Sequence, residues 1–224
     1  MKILMVLTSH AQLGNTDIKT GFWLEEFTTP YYVFKDAGAD ITIASPKGGL
    51  PPIDPNSAEE QTDSTVRYHA DNELKKQLAN TLVLSQIDAG EFDAIFYPGG
   101  HGPLWDLAED KDSIALIESF YQQNKPIGAV CHGPAVLKHP KSQAGDYIVA
   151  GKDVTGFSNE EEEAVKLTEI VPFLVEDMLK ANGGNYIRAA NWQSYVAVNP
   201  LLVTGQNPAS SEATATELLK VLSK

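Results

Sequence analysis

Short apolar runs recur along the chain without alternating polar positions: KILMV near the start, ITIA after Asp40, AIFY after Asp93 and PIGAV ahead of Cys131. Unbroken runs of this length are the pattern of strands covered on both faces. Between them the spacing of apolar residues changes to the helical period. TGFWLEEFTTPYYVFKDAG predicts a helix stopped by Gly38 and broken or kinked at Pro30. DSIALIESFYQQNK predicts another, capped by Asp112 or Ser113. NEEEEAVKL, VPFLVEDMLKANGG and SSEATATELLKVL predict three more. DYIVAGKDVTGFS predicts a hairpin, and NYIRAA, YVAVN and LLVTG are shorter strand candidates. Strands alternating with helices predict an α/β fold, a mostly parallel sheet with helices on both faces.

One region leaves this rhythm. PKGGLPPIDPNS must be a loop, and DNELKKQLAN a short amphipathic helix. The expected organisation is therefore one domain over residues 1–224 with a loop-rich insertion at about 46–85.

Composition narrows the function. The chain has 224 residues, 42% of them apolar, which is enough for a core without disulfides, and its single cysteine cannot form an internal one. The formal net charge of -13 comes without a basic stripe, which argues against nucleic acid and anionic membrane as partners. The apolar run at the start is too short for a signal peptide, and no segment approaches a membrane span. A cytoplasmic location is expected. The five histidines show no metal-binding spacing and one cysteine excludes cysteine-rich zinc sites, so no metal and no cofactor are expected.

In such sheets ligands bind beyond the carboxyl ends of the strands. Two stretches lie there: YPGGHG and VCHG. Cys131 falls where a strand turns into a predicted helix, with Gly133 allowing a tight turn. An elbow of this kind exposes a nucleophile, and a helix N-terminus would favour the thiolate. The competing reading is a small buried hydrophobe. His132 follows directly and needs a third group to orient it. The run Glu160–Glu163 can supply that group, or it can serve only as the acidic start of a helix capped by Ser158 or Asn159. Glu25 and Glu26 diverge by about 100° on a helix, so one faces out and the other in, unless both are simply solvated acids, the reading local sequence alone favours. An inward carboxyl near a thiol would be desolvated and hold its proton. The backbone amides of Gly99, Gly100 and His101 can form an oxyanion hole or bind a phosphate, and the spacing is wrong for a dinucleotide site.

Taken together, TGFWLEEF, YPGGHGPLWDL, AVCHGPAVL, VTGFSNEEEEAV, VPFLVEDML and LVTGQNPASS resemble the class I glutamine amidotransferase-like (PfpI) superfamily. The chain looks most like its branch of glutathione-independent glyoxalase III enzymes and heat-shock chaperone-like relatives. The resemblance implies a flavodoxin-like three-layer sandwich with Cys131 on a nucleophile elbow and His132 as its partner. It implies Glu162 as the orienter of His132 and Glu26 as the inward carboxyl. Gly100 and the His132 amide fall on its oxyanion positions, with Gly99 beside them. The implied activity is conversion of methylglyoxal to lactate through a cysteine hemithioacetal, with a small reactive carbonyl as substrate and a homodimer as the assembly. Stress chaperone, protein deglycase and cysteine redox sensor are the alternatives. Ala129 stands where glutamine amidotransferases carry glycine, and no His-x-Glu pair follows GQNPASS, which argues against glutaminase activity.

Overall fold

In the computed structural model, which describes residues 1–223, the chain begins with strand β1 (Lys2–Val6), helix α1 (Leu24–Asp36) and strand β2 (Asp40–Ser45). Helices α2 (Asp63–Ala70) and α3 (Asn72–Ala79) and the short strand β3 (Leu82–Val83) follow. Next come β4 (Ala94–Tyr97), α4 (Lys111–Gln122) and β5 (Ile127–Val130). After these lie β6 (Asp153–Val154), α5 (Asn159–Ala164), α6 (Val175–Ala181) and β7 (Asn185–Tyr186). The chain closes with β8 (Val196–Asn199), β9 (Leu202–Gly205) and α7 (Ser211–Leu222).

Seven strands form the main sheet in the order β3-β2-β1-β4-β5-β9-β8, and β8, antiparallel to β9, is its one reversed strand. The unbroken apolar strands are sorted by the pleat. Ile3 and Met5 pack into one layer with Phe27, Phe34 and Leu218, whereas Leu4 and Val6 pack into the other with Ile117, Phe120 and Val136. Every residue of β4 and β5 is buried. This is a mostly parallel sheet with helices on both faces, the α/β architecture expected.

The chain leaves β1 toward β2 on one side and later fills β4 on the other. The crevice at the carboxyl ends of β1 and β4 is therefore a switch point, the place where such sheets bind ligands. Gly99 and Gly100 follow β4, Cys131 follows β5, and the residue before α1, Trp23, donates its N–H to the Gly99 carbonyl at 3.1 Å.

Several local expectations are corrected. Pro30 does not break α1. It removes the N–H that would reach the Glu26 carbonyl, but the helix runs unbroken through it because Phe27, Tyr31 and Phe34 on either side are buried. The helix also starts at Leu24, later than Thr20. The Leu24 N–H is taken by the Ser57 hydroxyl at 3.0 Å, so the loop after β2 caps the helix that carries Glu26. The cap of α4 is Asp110, whose Oδ1 accepts from the Asp112 and Ser113 amides, both at 2.9 Å; those two residues lie inside the helix. No hairpin forms over 146–158. β6 pairs in parallel with β7, since the strand's backbone groups are met by the segment that follows α6. Finally, Gly133–Leu137 is a 3₁₀ turn rather than an α-helix, with Pro134 in its first turn.

Candidate active site

Cys131 is held in the left-handed region at φ 61°, a conformation that costs a non-glycine residue about 1–2 kcal/mol. Backbone bonds fix it there: its N–H donates to Gly205 at 3.0 Å, and its carbonyl accepts from the Phe157 N–H at 2.8 Å. Gly133 permits the turn, since a side chain there would strike the Tyr97 carbonyl. The result is a strained, almost wholly buried thiol at the end of a central strand.

His132 lies on one side of it. Cys131 Sγ and His132 Nδ1 are 3.4 Å apart, and His132 Nε2 is 2.6 Å from Glu162 Oε2. Glu162 Oε1 in turn lies 2.7 Å from Nε2 of a second imidazole, His101. Burial by itself would raise the pKa of Glu162, but His132 and His101 more than offset it and hold the carboxyl well below its ordinary range. An ionised carboxylate only accepts, so each histidine places its proton on Nε2. Burial, followed by the neighbouring His101, keeps the His132 pKa below its ordinary value although Glu162 pulls the other way. Neutral His132 thus presents a bare Nδ1 to the thiol.

Glu26 lies on the other side and is completely buried. Its Oε2 accepts the Gly99 N–H at 2.8 Å. Its Oε1 has no hydrogen-bond partner among the described residues, although the Cys131 thiol is near enough to affect its titration. A protonated Oε1 can donate to the sulfur once the thiolate has formed. Desolvation raises the Glu26 pKa far above the ordinary carboxylate range. Burial also raises the thiol's, with a charged Glu26 adding to it. Two such groups titrate together, and their pKa values belong to the pair. The expected lowering of the thiol pKa by a helix N-terminus is therefore corrected: a short 3₁₀ turn replaces the helix, and burial dominates. Thiolate forms here only if a base takes the proton, and His132 Nδ1 is in place for that.

Glu25 faces away, half buried, and lines a cavity of about 460 Å³ with Thr29, Arg67 and Glu212. One residue of the expected oxyanion set is also corrected. The Gly99 amide is committed to Glu26, and a side chain on Gly99 would collide with that carboxylate. Among the described residues no protein acceptor takes the Gly100 or His132 N–H. Those two amides, at the ends of β4 and β5, remain available to an oxyanion.

Sequence reasoning used only the backbone of His101 and missed its side chain. It also left helix capping and histidine orientation as rival roles for the glutamate run. Both roles exist, on neighbouring residues. Ser158 and Glu161 form the capping box of α5, and Glu162, one position on, reaches the histidines. Glu161 does more than cap. Its carboxylate accepts five hydrogen bonds, from the Ser158 amide and hydroxyl, the Trp192 amide, Gln206 and Asn207. It ties α5 to the strand end at Gly205 and to the segment carrying Trp192, whose ring packs on Phe157, which packs on His132. Glu161→Ala should lower stability by about 3 kcal/mol or more, because several buried donors lose their acceptor. Glu160, exposed and, among the described residues, paired only with Arg188, should tolerate Gln within about 0.5 kcal/mol. Thermal melts of the two variants check this.

His101, His132 and Glu162 are also the residues that could hold a metal ion. Their geometry fits one poorly. The N···O separations of 2.6 and 2.7 Å are hydrogen-bond distances, whereas ligands on a tetrahedral zinc stand roughly 3.4 Å apart, so an ion would have to displace two protons and spread the cluster. No helix among the described residues is long and apolar enough to cross a membrane.

The family model described as the DJ-1/PfpI family matches residues 18–221. Glyoxalase 3 of Candida albicans is 29% identical, covering 98% of this chain and 97% of its own length. The glutathione-independent glyoxalase HSP31 of Saccharomyces cerevisiae is also 29% identical, over 99% and 98%. Among solved structures, the Rapid Encystment Protein of Francisella tularensis is 42% identical with a TM-score of 0.95, covering 99% of this chain and 98% of that one. Glyoxalase III from Candida albicans superposes with a TM-score of 0.91 at 28% identity, over 99% and 97%.

Proposed function

We propose that this chain, which belongs to the DJ-1/PfpI family, converts methylglyoxal to lactate without glutathione, by covalent chemistry at Cys131. One observation carries the reading: the thiol stands between two proton-handling groups of opposite readiness. His132 offers a bare nitrogen, and Glu26 holds a proton. A hydrolytic Cys-His-Glu arrangement has no need of the second. A reaction that moves hydrogen between adjacent carbons needs both. The names of the glyoxalase relatives agree with a small carbonyl as substrate, as does a thiol only 3% exposed.

His132 Nδ1 takes the thiol proton as Sγ adds to the aldehyde carbon. The new oxyanion lies against the Gly100 and His132 amides and takes the proton of Glu26. Glu26, now a carboxylate, removes the hydrogen from that carbon, and His132 protonates the enediolate oxygen. Glu26 then returns the hydrogen to the neighbouring carbon while His132 takes the hydroxyl proton of the first, leaving a lactoyl thioester. Water, deprotonated by Glu26, attacks the thioester, and the departing sulfur recovers its proton from His132. The sum is methylglyoxal plus water giving lactic acid, with both residues restored. A single cysteine, kept as a thiol, suits a reducing compartment such as the cytoplasm.

The test is purified protein with methylglyoxal and no glutathione, followed as lactate. Turnover supports the reading; methylglyoxal consumed only by adduct formation, with no lactate, overturns it. Within this scheme Glu162 keeps His132 in its tautomer. Glu162→Gln leaves one imidazole N–H without an acceptor and should slow turnover roughly 10- to 100-fold, whereas Glu160→Gln leaves it unchanged. Equal effects at both positions would reduce Glu162 to part of a helix start.

A further inference from the structure

The side chain of His101 has no part in the chemistry above, yet it is only 8% exposed, bonded to the same carboxylate as His132 and packed on the His132 ring. The two imidazole centroids are 3.9 Å apart and their planes 40° from parallel. We propose that His101 is a positioning residue: by donating Nε2–H to Glu162 Oε1 and lying against the His132 ring, it leaves Glu162 a single oxygen and a single orientation with which to hold His132. This role is a property of the three residues themselves and can be measured without turnover.

The physical need is plain. A glutamate is long enough to rotate its carboxylate and exchange its oxygens. With one oxygen free, it can pull away from His132 toward water, or offer both lone-pair sets to the same N–H. A buried carboxylate oxygen without a donor is also costly. His101 removes both problems with one bond. It is supplied by the turn after β4, while His132 comes from the turn after β5 and Glu162 from α5, so three separate segments lock together at the switch point.

The bond has an electrostatic consequence. A donor on Oε1 draws negative charge away from Oε2, so the imidazolium form of His132 is stabilised less and the ring stays a neutral base. The charged and titratable groups around His132 are Cys131, with Glu26 beyond the thiol, His101 above the ring, and Glu162 and Glu161 on α5. Replacing His101 by a residue that fills its space but cannot donate should therefore make His132 protonate more readily.

The experiment follows the ring protons of His132 by NMR as a function of pH, in full-length protein carrying Cys131→Ala so that the thiol does not couple. His101→Phe keeps an aromatic ring against His132 and removes the N–H. His101→Gln places an amide N–H near the same point. The His132 midpoint should rise by roughly one pH unit in the Phe variant and stay within a few tenths of the parent in the Gln variant. A role confined to packing would leave the Phe variant at the parent's midpoint. That result would overturn the proposal, as would a Gln variant displaced as far as Phe.

Discussion

Cys131→Ala should abolish lactate formation from methylglyoxal while leaving a folded protein. No other cysteine exists in the chain to replace the thiol, and without sulfur no covalent intermediate forms. The fold should tolerate the change because the residue is small and its position is fixed through its backbone N–H and carbonyl. Alanine keeps the strain of a positive φ, whereas glycine relieves it. Cys131→Gly should therefore melt above Cys131→Ala, although both are inactive. That order would show that the elbow holds the thiol at a cost in stability, as strained functional positions do. Turnover retained in carefully desalted Cys131→Ala would end the enzyme reading.

Glu26→Gln should lower turnover by about 10²-fold or more, the usual scale for losing a positioned acid-base group. The amide still accepts from Gly99 and still donates toward the sulfur. The thiol should then keep much of its reactivity toward a simple alkylating agent, because that step needs no proton carrier on the carbon side. Separate loss of turnover with retained alkylation would identify Glu26 as the group that moves hydrogen between carbons. Glu25→Gln should change neither, since Glu25 lines the cavity on the other side of the helix.

The same substitution has a signature in stability. Burial raises the Glu26 pKa, so the folded protein holds that proton more tightly than the unfolded chain does. The stability linked to it is complete below the ordinary carboxylate range and is lost as pH climbs from there toward the raised value. Glu26→Gln has no proton to lose. Its melting temperature relative to wild type should rise steadily with pH through that window, and a constant difference would mean that Glu26 is not buried as an acid.

Much of this was legible before any coordinates. The unbroken apolar runs identify β1, β4 and β5 because a parallel strand buried on both faces needs no polar alternation, and strand-Cys-x-Gly identifies the elbow because few other sequences need that turn. Pro30 misled because propensity acts locally, while the packing of Phe27, Tyr31 and Phe34 is tertiary. The sheet edge formed by β8, the pairing of β6 with β7 and the commitment of the Gly99 amide to Glu26 all depend on segments far apart in the chain. Glu161 and Glu162 were separable in principle: Ser158-x-x-Glu161 is a capping box, which leaves the next glutamate about 100° round the helix. His101 had no such signal. Its partner is 61 residues away, and the glycines on either side drew attention to the backbone.

Passage of the substrate through a bond to Cys131 can be seen by rapid acid quenching of wild-type protein during turnover of methylglyoxal, followed by peptide mass mapping. One methylglyoxal mass should be added to the peptide containing Cys131, present while substrate lasts, lost as lactate accumulates, and absent in Cys131→Ala. Steady lactate production with no mass on that peptide, or with the added mass only on lysine or arginine peptides, would contradict it.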